Sequence, residues 1–503
     1  MNSKNLFHDQ VINPLLSNIG LFRDSNAFCI DGTFFSYKQL GEYISKIRCS
    51  IKNLIPDNIY IGLVANDDIE TYASIFALWL EKKAYVPLHP NQPLDRCDEI
   101  IKQTNIITIL DSGATTRFLN TNVISTNSLS YEHDYLNFNS SGNAIDIAYI
   151  LFTSGSTGTP KGVSINTKNV GAFMDSFWDC GIIINEEDKC LQCFDLTFDV
   201  SVQCFLAPLT RGACVFTIPH HQIKYSYVYG LLEDHHLTFG AMAPSMLRYL
   251  KPYFNEINVP SMKNCILTGE ASPVDLVRLW EKCIPNATIY NFYGPTEVTI
   301  YCTYYKTSRN DEIKSLNGML SIGKAMKNVE AIVIDENFNI LREGEKGELC
   351  VCGDQVSPGY WNSPEKNSEA FFDKEHQGKL QRFYHTGDLC FYDNKNDLML
   401  YGRLDSQAKI QGYRVELGEI EYQVREFLKG NNAVVLTFIN SIGNTELVLF
   451  VEGGKINTAT LINYLKTKLP FYMIPTKIFV EDEFPLNSNS KVDKKRLNEK
   501  IQF

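Results

Sequence analysis

Thr153-Ser154-Gly155-Ser156-Thr157-Gly158-Thr159-Pro160-Lys161-Gly162 is the segment from which the rest of the chain can be understood. It follows Ile147-Ala148-Tyr149-Ile150-Leu151-Phe152, an apolar, aromatic-rich run that predicts a buried strand. Three glycines, five hydroxyl residues, one proline and one lysine fill the ten positions. Glycine lets backbone N–H groups approach an anion closely, hydroxyls add donors, and lysine adds charge. That is the chemistry of a loop that grips phosphates. A flexible surface loop is the alternative, but a strand leads straight in, and Pro160 and Gly162 flank Lys161. It is not a Walker A loop, which needs Gly-Lys-Ser/Thr where this chain has Pro160-Lys161-Gly162.

Upstream, strand and helix patterns alternate. Phe35–Leu40 leads into a helical spacing through Ile44, Ile47 and Ile51. Ile59–Val64 predicts a strand, Thr71–Glu81 a helix, and Ala84-Tyr85-Val86-Pro87-Leu88 a further strand. Repetition of this kind implies an α/β fold: a mostly parallel sheet with helices on its faces. Downstream, Phe194–Gln203 sets Asp199 among apolar residues. Tyr290–Glu297 joins aromatic rings to a turn and a carboxylate, and Tyr384–Leu389 places Asp388 just after a glycine. Tyr401-Gly402-Arg403-Leu404-Asp405 reads as a junction. After it, a helix over 419–428, strands over 433–438 and 446–451, and a helix over 458–469 make a unit of about 100 residues, long enough for a separate α+β domain. We therefore expect a large domain over 1–404 and a small one over 405–503.

Composition narrows the classes of function. At 503 residues the chain is too long for one core. A net charge of −11 argues against bulk electrostatic binding of nucleic acid or acidic lipid. No apolar run approaches the ~18 residues needed for membrane insertion, and no signal-peptide core follows Met1, so a cytoplasmic location is expected. The fourteen cysteines are scattered in apolar contexts; Cys190/Cys193 and Cys350/Cys352 are the only close pairs. Zinc would need a second pair at metal spacing, so buried free thiols are the expectation.

Together these stretches resemble the adenylate-forming superfamily of acyl-CoA synthetases, luciferases and peptide-synthetase adenylation domains. The likeness rests on Thr153–Gly162, Phe194–Gln203, Asn291–Glu297, Gly347–Trp361, Tyr384–Asp388, Tyr401–Glu421 and Pro485–Lys491. It is strongest to amino-acid-activating members, especially stand-alone D-alanine–D-alanyl carrier protein ligases. The resemblance implies two half-reactions. A carboxylate attacks the α-phosphate of ATP to give an acyl-adenylate and pyrophosphate, and a thiol, usually a carrier protein's phosphopantetheine, then displaces AMP. It also implies a mobile small domain turning about a hinge at Asp405.

By this resemblance, Thr153, Ser154, Gly155, Ser156, Thr157, Gly158 and Lys161 hold the triphosphate, and Glu297 is the Mg²⁺ carboxylate. Tyr293 stacks on adenine and Asn291 reads its amino edge, with Gly269, Glu270, Phe292, Gly294 and Thr296 around them. Asp388 holds the ribose, Arg403 assists near ribose or phosphate, and Lys491 bridges substrate carboxylate and α-phosphate. Thr157, Glu297, Arg403 and Lys491 are thus the expected catalytic set, and Lys409 and Gly412 belong to the face used in thiol transfer. Ser490 stands where the family usually has glycine. Glu81-Lys82-Lys83-Ala84 and His89 also depart from its pattern, in a stretch read as structural.

Asp199 discriminates among substrates. A buried carboxylate is unfavourable unless paired, and an α-ammonium about 4 Å away recovers roughly 4 kcal/mol at an effective dielectric near 20. The alternative is that Asp199 caps a helix starting at Val200. The aligned pocket is completed by Val200, Gln203, Ala241, Ile266, Thr268, Phe292, Ile300 and Tyr301, which predicts a short, mainly apolar cavity. It suits alanine, glycine, serine or proline; the Asp199/Val200/Gln203 trio resembles prolyl-activating domains. No carrier domain follows Phe503 in this sequence, so a discrete carrier protein is the expected acceptor, with coenzyme A, in an acid:CoA ligase, the alternative.

Overall fold

The structure is a computed structural model and describes residues 5–130, 136, 146–155, 159–309, 311–429, 432–453, 456–486 and 492–501. The chain forms two compact units. The first comprises Met1–Pro90, Ile101–Leu151 and Gly162–Leu404; the second comprises Asn91–Ile100, Phe152–Lys161 and Asp405–Phe503.

Two large, mainly parallel sheets build the first unit. In one, strands Ala84–Leu88, Tyr60–Val64, Thr108–Asp111 and Asn122–Ser125 run parallel, and Ala84–Leu88 also pairs in parallel with Ile147–Thr153. The other has nine strands, with a parallel centre running through Thr288–Tyr293, Asn264–Leu267, Phe239–Met242, Lys189–Leu191, Cys214–Phe216 and Asn26–Ile30. A third, antiparallel sheet joins Val329–Ile334, Gly347–Gly353, Lys379–Tyr392, Phe371–His376 and Leu398–Arg403.

The helices form where the apolar spacing places them. Helix Tyr37–Leu54 starts at a capping box in which Ser36 and Gln39 satisfy each other's N–H groups, and it buries Leu40, Ile44, Ile47 and Ile51 on one face. Each such side chain contributes about 1.5–3 kcal/mol when fully buried. Helix Ile69–Leu80 is apolar on nearly every side; Asp68 accepts from the Thr71 N–H at its start, and all but Glu70 are buried. A helix apolar all round needs a neighbour on each face, which fixes it in the interior.

The second unit holds the hairpin Gln407–Ile410/Tyr413–Glu416 and a three-stranded sheet of Ala433–Ile439, Thr445–Glu452 and Lys477–Glu481, with helices Leu417–Leu428, Thr458–Lys468 and Lys494–Glu499. Gln411 and Gly412 both have positive φ in the hairpin's two-residue turn, the conformation that matches strand twist. All fourteen cysteines are unpaired and all but Cys49 are buried. Among the described residues no helix is long and apolar enough to cross a membrane.

Candidate active site

The loop after strand Ile147–Thr153 is drawn tight by glycine. A Cβ on Gly155 would lie 1.9 Å from the carbonyl oxygen of Thr159. Ser156, Thr157 and Gly158 lie outside the described residues, as does Lys491. Two of the donors that are described, the Gly155 N–H and Lys161 Nζ, face carboxylates of the same unit. The Gly155 N–H donates to Glu419 at 3.0 Å, Lys161 Nζ lies 3.2 Å from Glu416, and Ser154 Oγ donates to the Arg414 carbonyl while accepting from the Glu416 N–H. Glu419 also pairs with the buried Arg96 at 2.7 Å. The loop's described N–H and ammonium donors thus each meet a carboxylate, and its described hydroxyl meets a backbone carbonyl, a donor-rich surface that suits an anion. Lys409 pairs with Arg414 across the adjacent hairpin, and Gly412 closes its turn.

A second polar cluster lies on the antiparallel sheet. Asp388 and Arg403 are register partners, and Arg403 donates to Asp388 Oδ1 at 2.9 Å and to the Thr386 carbonyl at 3.3 Å. Tyr293 donates its hydroxyl to Asp388 Oδ2 at 2.5 Å, so both carboxylate oxygens are held. Burial, with the Asp388 charge beside it, pushes the Tyr293 hydroxyl well above its ordinary range, and it stays a donor. Asn291 is engaged on both ends of its amide: it accepts from Ser272 Oγ at 2.8 Å and donates to the Ser321 carbonyl at 2.9 Å. Gly269 has φ +82°, and Glu270 accepts from the Ser245 N–H at 3.0 Å. Glu297 is fully buried and accepts from the Tyr360 hydroxyl at 2.7 Å.

Asp199 is the N-cap residue of helix Val200–Leu209, but its side chain makes no cap hydrogen bond. Its carboxyl is 5% exposed, and Oδ2 has no hydrogen-bond partner among the described residues; nor does Nε2 of Gln203, one turn further along the helix. Burial pushes the Asp199 carboxyl up to about 6; Thr296 and the Val200 and Ile300 N–H groups oppose that rise, while the charge of Glu297 adds to it. Val200, Ala241, Ile266, Phe292, Ile300 and Tyr301 belong to one apolar cluster, in which the Phe292 and Tyr301 rings are 4.8 Å apart. Thr268 is buried too.

Sequence reasoning misses the strain beside this pocket. Thr299 and Ile300 are consecutive β-branched residues at φ +56° and +72°, a conformation that costs of order 1–3 kcal/mol each. Gln355 holds them there: its Nε2 donates to the Tyr301 carbonyl at 2.6 Å, and Thr299 Oγ1 donates to its backbone carbonyl at 2.6 Å. Gly294 leaves room for this turn, since a Cβ there would lie 2.5 Å from the Ile300 oxygen. Gln355→Ala is expected to destabilise the first unit by about 2 kcal/mol, read as a lower denaturation midpoint. An unchanged midpoint would show that the turn keeps its shape without that amide.

Known proteins match this chain over nearly its whole length. The chain is 31% identical over 511 residues to zwittermicin A synthase ZmaJ of Bacillus cereus, covering 98% of this chain and 94% of that one. Other curated relatives are much longer: three at 28% identity match 92–95% of this chain, which spans only 44%, 13% and 9% of theirs. In fold it resembles the Vibrio cholerae adenylation domain AlmE, solved in complex with glycyl-adenosine-5'-phosphate, at TM-score 0.85 and 23% identity over 97% of both chains. It also resembles holo-PA1221, a protein containing adenylation and PCP domains, at TM-score 0.87 and 21% identity over 99% of this chain and 85% of that one. The family described as AMP-binding enzyme matches residues 18–361, and on that match and the ZmaJ likeness the chain belongs to the AMP-binding, adenylate-forming enzymes that activate acids with ATP.

Proposed function

We propose that this enzyme activates a small amino acid as its aminoacyl-adenylate and passes it to the phosphopantetheine thiol of a separate carrier protein. The observation that carries this reading is the unpartnered Asp199 Oδ2, buried among apolar and aromatic residues. A carboxylate in that setting lowers its energy by meeting an ammonium group, which fatty and aryl acids lack. AlmE, of the same fold, is bound to glycyl-adenosine-5'-phosphate, and PA1221 contains adenylation and PCP domains; both lend support to a small amino acid and a carrier.

In the reaction so read, a substrate carboxylate oxygen bonds to the α-phosphorus as the bond to pyrophosphate breaks. A thiol then attacks the acyl carbon and AMP departs. Little covalent help is needed at phosphorus; positioning and charge neutralisation supply most of the rate. Lys161 and the N–H and hydroxyl donors of its loop neutralise phosphate charge, Asp388 orients the ribose, and Lys491 offsets charge on the α-phosphate and the attacking carboxylate. Glu297 is the carboxylate that suits Mg²⁺, being a buried oxygen donor held by Tyr360; the ion would supply further neutralisation of the phosphates. Glu416 and Glu419 occupy the loop's donors in this structure, so phosphate binding exchanges one set of anions for another.

Pyrophosphate exchange into ATP, measured across both enantiomers of alanine, serine and proline and with glycine, tests the reading. Exchange dependent on one or a few of these is expected. Exchange driven only by fatty or aryl acids, with thioester formed on coenzyme A, would replace it by the acid:CoA ligase alternative.

A further inference from the structure

Three residues far apart in sequence meet at the carboxyl ends of parallel strands. His89 follows Ala84–Leu88, Asp195 follows Lys189–Leu191, and His220 follows Cys214–Phe216. The first strand belongs to one large sheet of the first unit and the other two to the second. One ligand atom from each residue lies within 4.8 Å of the others. His89 Nε2 is 3.9 Å from Asp195 Oδ1, both side chains are under a tenth exposed, and the two imidazole centroids are 5.3 Å apart.

We infer that His89, Asp195 and His220 form a binding site for a first-row divalent transition metal, with zinc the best fit. Two imidazoles and one carboxylate are a borderline N/O donor set that Mg²⁺ and Ca²⁺, which prefer oxygen alone, do not favour. His220 Nε2 lies 2.7 Å from the Ala65 carbonyl, which requires the proton on Nε2 and leaves the Nδ1 lone pair available. Tetrahedral binding at ~2.1 Å would set the ligand atoms roughly 3.4 Å apart, so the three side chains need draw in by only about 1 Å.

Positive charge is already called for at this point. Lys224 Nζ sits 3.3 Å from Asp195 Oδ1, and its side chain is 41% exposed, free to swing into solvent as an ion takes its place. The ion would act as a clamp between loops of the two sheets. The Asp195 carbonyl accepts from the Phe198 N–H at 2.8 Å, closing the turn that leads into Asp199, so the clamp also fixes the approach to the substrate pocket. His89, a departure from the family pattern in the sequence, thereby acquires a chemical reason.

The test uses the full chain without nucleotide or amino acid, so its outcome is independent of the substrate reading. Protein stripped by chelator and re-exposed to limiting Zn²⁺ is expected to retain one ion after gel filtration and to melt at higher temperature. Co²⁺ in its place should give the visible absorption of a low-symmetry, four-coordinate ion. His220→Gln is expected to weaken binding at least tenfold, and Lys224→Met, which removes the competing cation, to tighten it about tenfold. Substoichiometric retention by the unaltered chain would overturn the site. So would Zn²⁺ affinity unmoved by Lys224→Met, a reading that stands even if His220→Gln fails to fold.

Discussion

Replacing Asp199 by alanine is expected to lower kcat/KM for the amino acid about a thousandfold while leaving KM for ATP within about twofold. The figure follows from roughly 4 kcal/mol of ion pairing at an effective dielectric near 20, each 1.4 kcal/mol being tenfold. Pyrophosphate exchange at varied amino acid and then varied ATP measures it. Equal losses toward both substrates would assign Asp199 a folding role. Asp199→Asn separates binding from stability, with opposite signs. Burial holds the carboxyl near 6 instead of 3.8, which corresponds to about 3 kcal/mol. Because the folded state binds the proton more tightly than the unfolded chain, stability is greatest below pH 3.8, falls as pH rises through 6, and stays low above. The asparagine variant is therefore expected to melt roughly 4 °C higher than the parent at pH 8, with no difference near pH 4, while binding amino acid poorly. In the parent, kcat/KM should fall as pH drops below about 6, where the carboxylate takes up its proton.

Gly155→Ala is expected to reduce adenylation by about 100- to 1000-fold with the fold retained. The new methyl group would lie 1.9 Å from the Thr159 oxygen, a backbone atom that cannot step aside without opening the loop. Opening it displaces the Gly155 N–H and the flanking Ser154 and Lys161 donors. Displacing a preorganised donor by about an ångström, or losing one, typically costs two to three orders of magnitude. The loss should appear in KM for ATP and in kcat together, with circular dichroism and melting little changed. Activity within threefold of the parent would show that phosphate is held elsewhere.

The loop proposed to hold phosphate stands out from residues alone because its pattern is local: strand, glycines, hydroxyls and lysine fall within sixteen consecutive positions, 147–162. Asp199 is legible for a related reason, an acid standing out in an apolar run. What meets these residues comes from far along the chain, and no local pattern announces it. Glu416 and Glu419 reach the loop across more than 250 residues, Tyr360 reaches Glu297 across 63, and Gln355 reaches Tyr301 across 54. Asn291, expected at the adenine edge, has its amide occupied by Ser272 and Ser321, partners visible only once the strands are assembled. Propensity also misleads at Thr299-Ile300, where β-branched residues suggest extended backbone and the chain instead turns left-handed.

The pairing of Asp199 with a substrate ammonium is tested most directly by a two-by-two comparison. Exchange rates would be measured for the preferred amino acid and for its des-amino analogue, in the parent and in Asp199→Asn. A preference for the amino acid of about a thousandfold is expected in the parent and should nearly vanish in the variant, a coupling specific to that charge pair. The same preference in both proteins would contradict it.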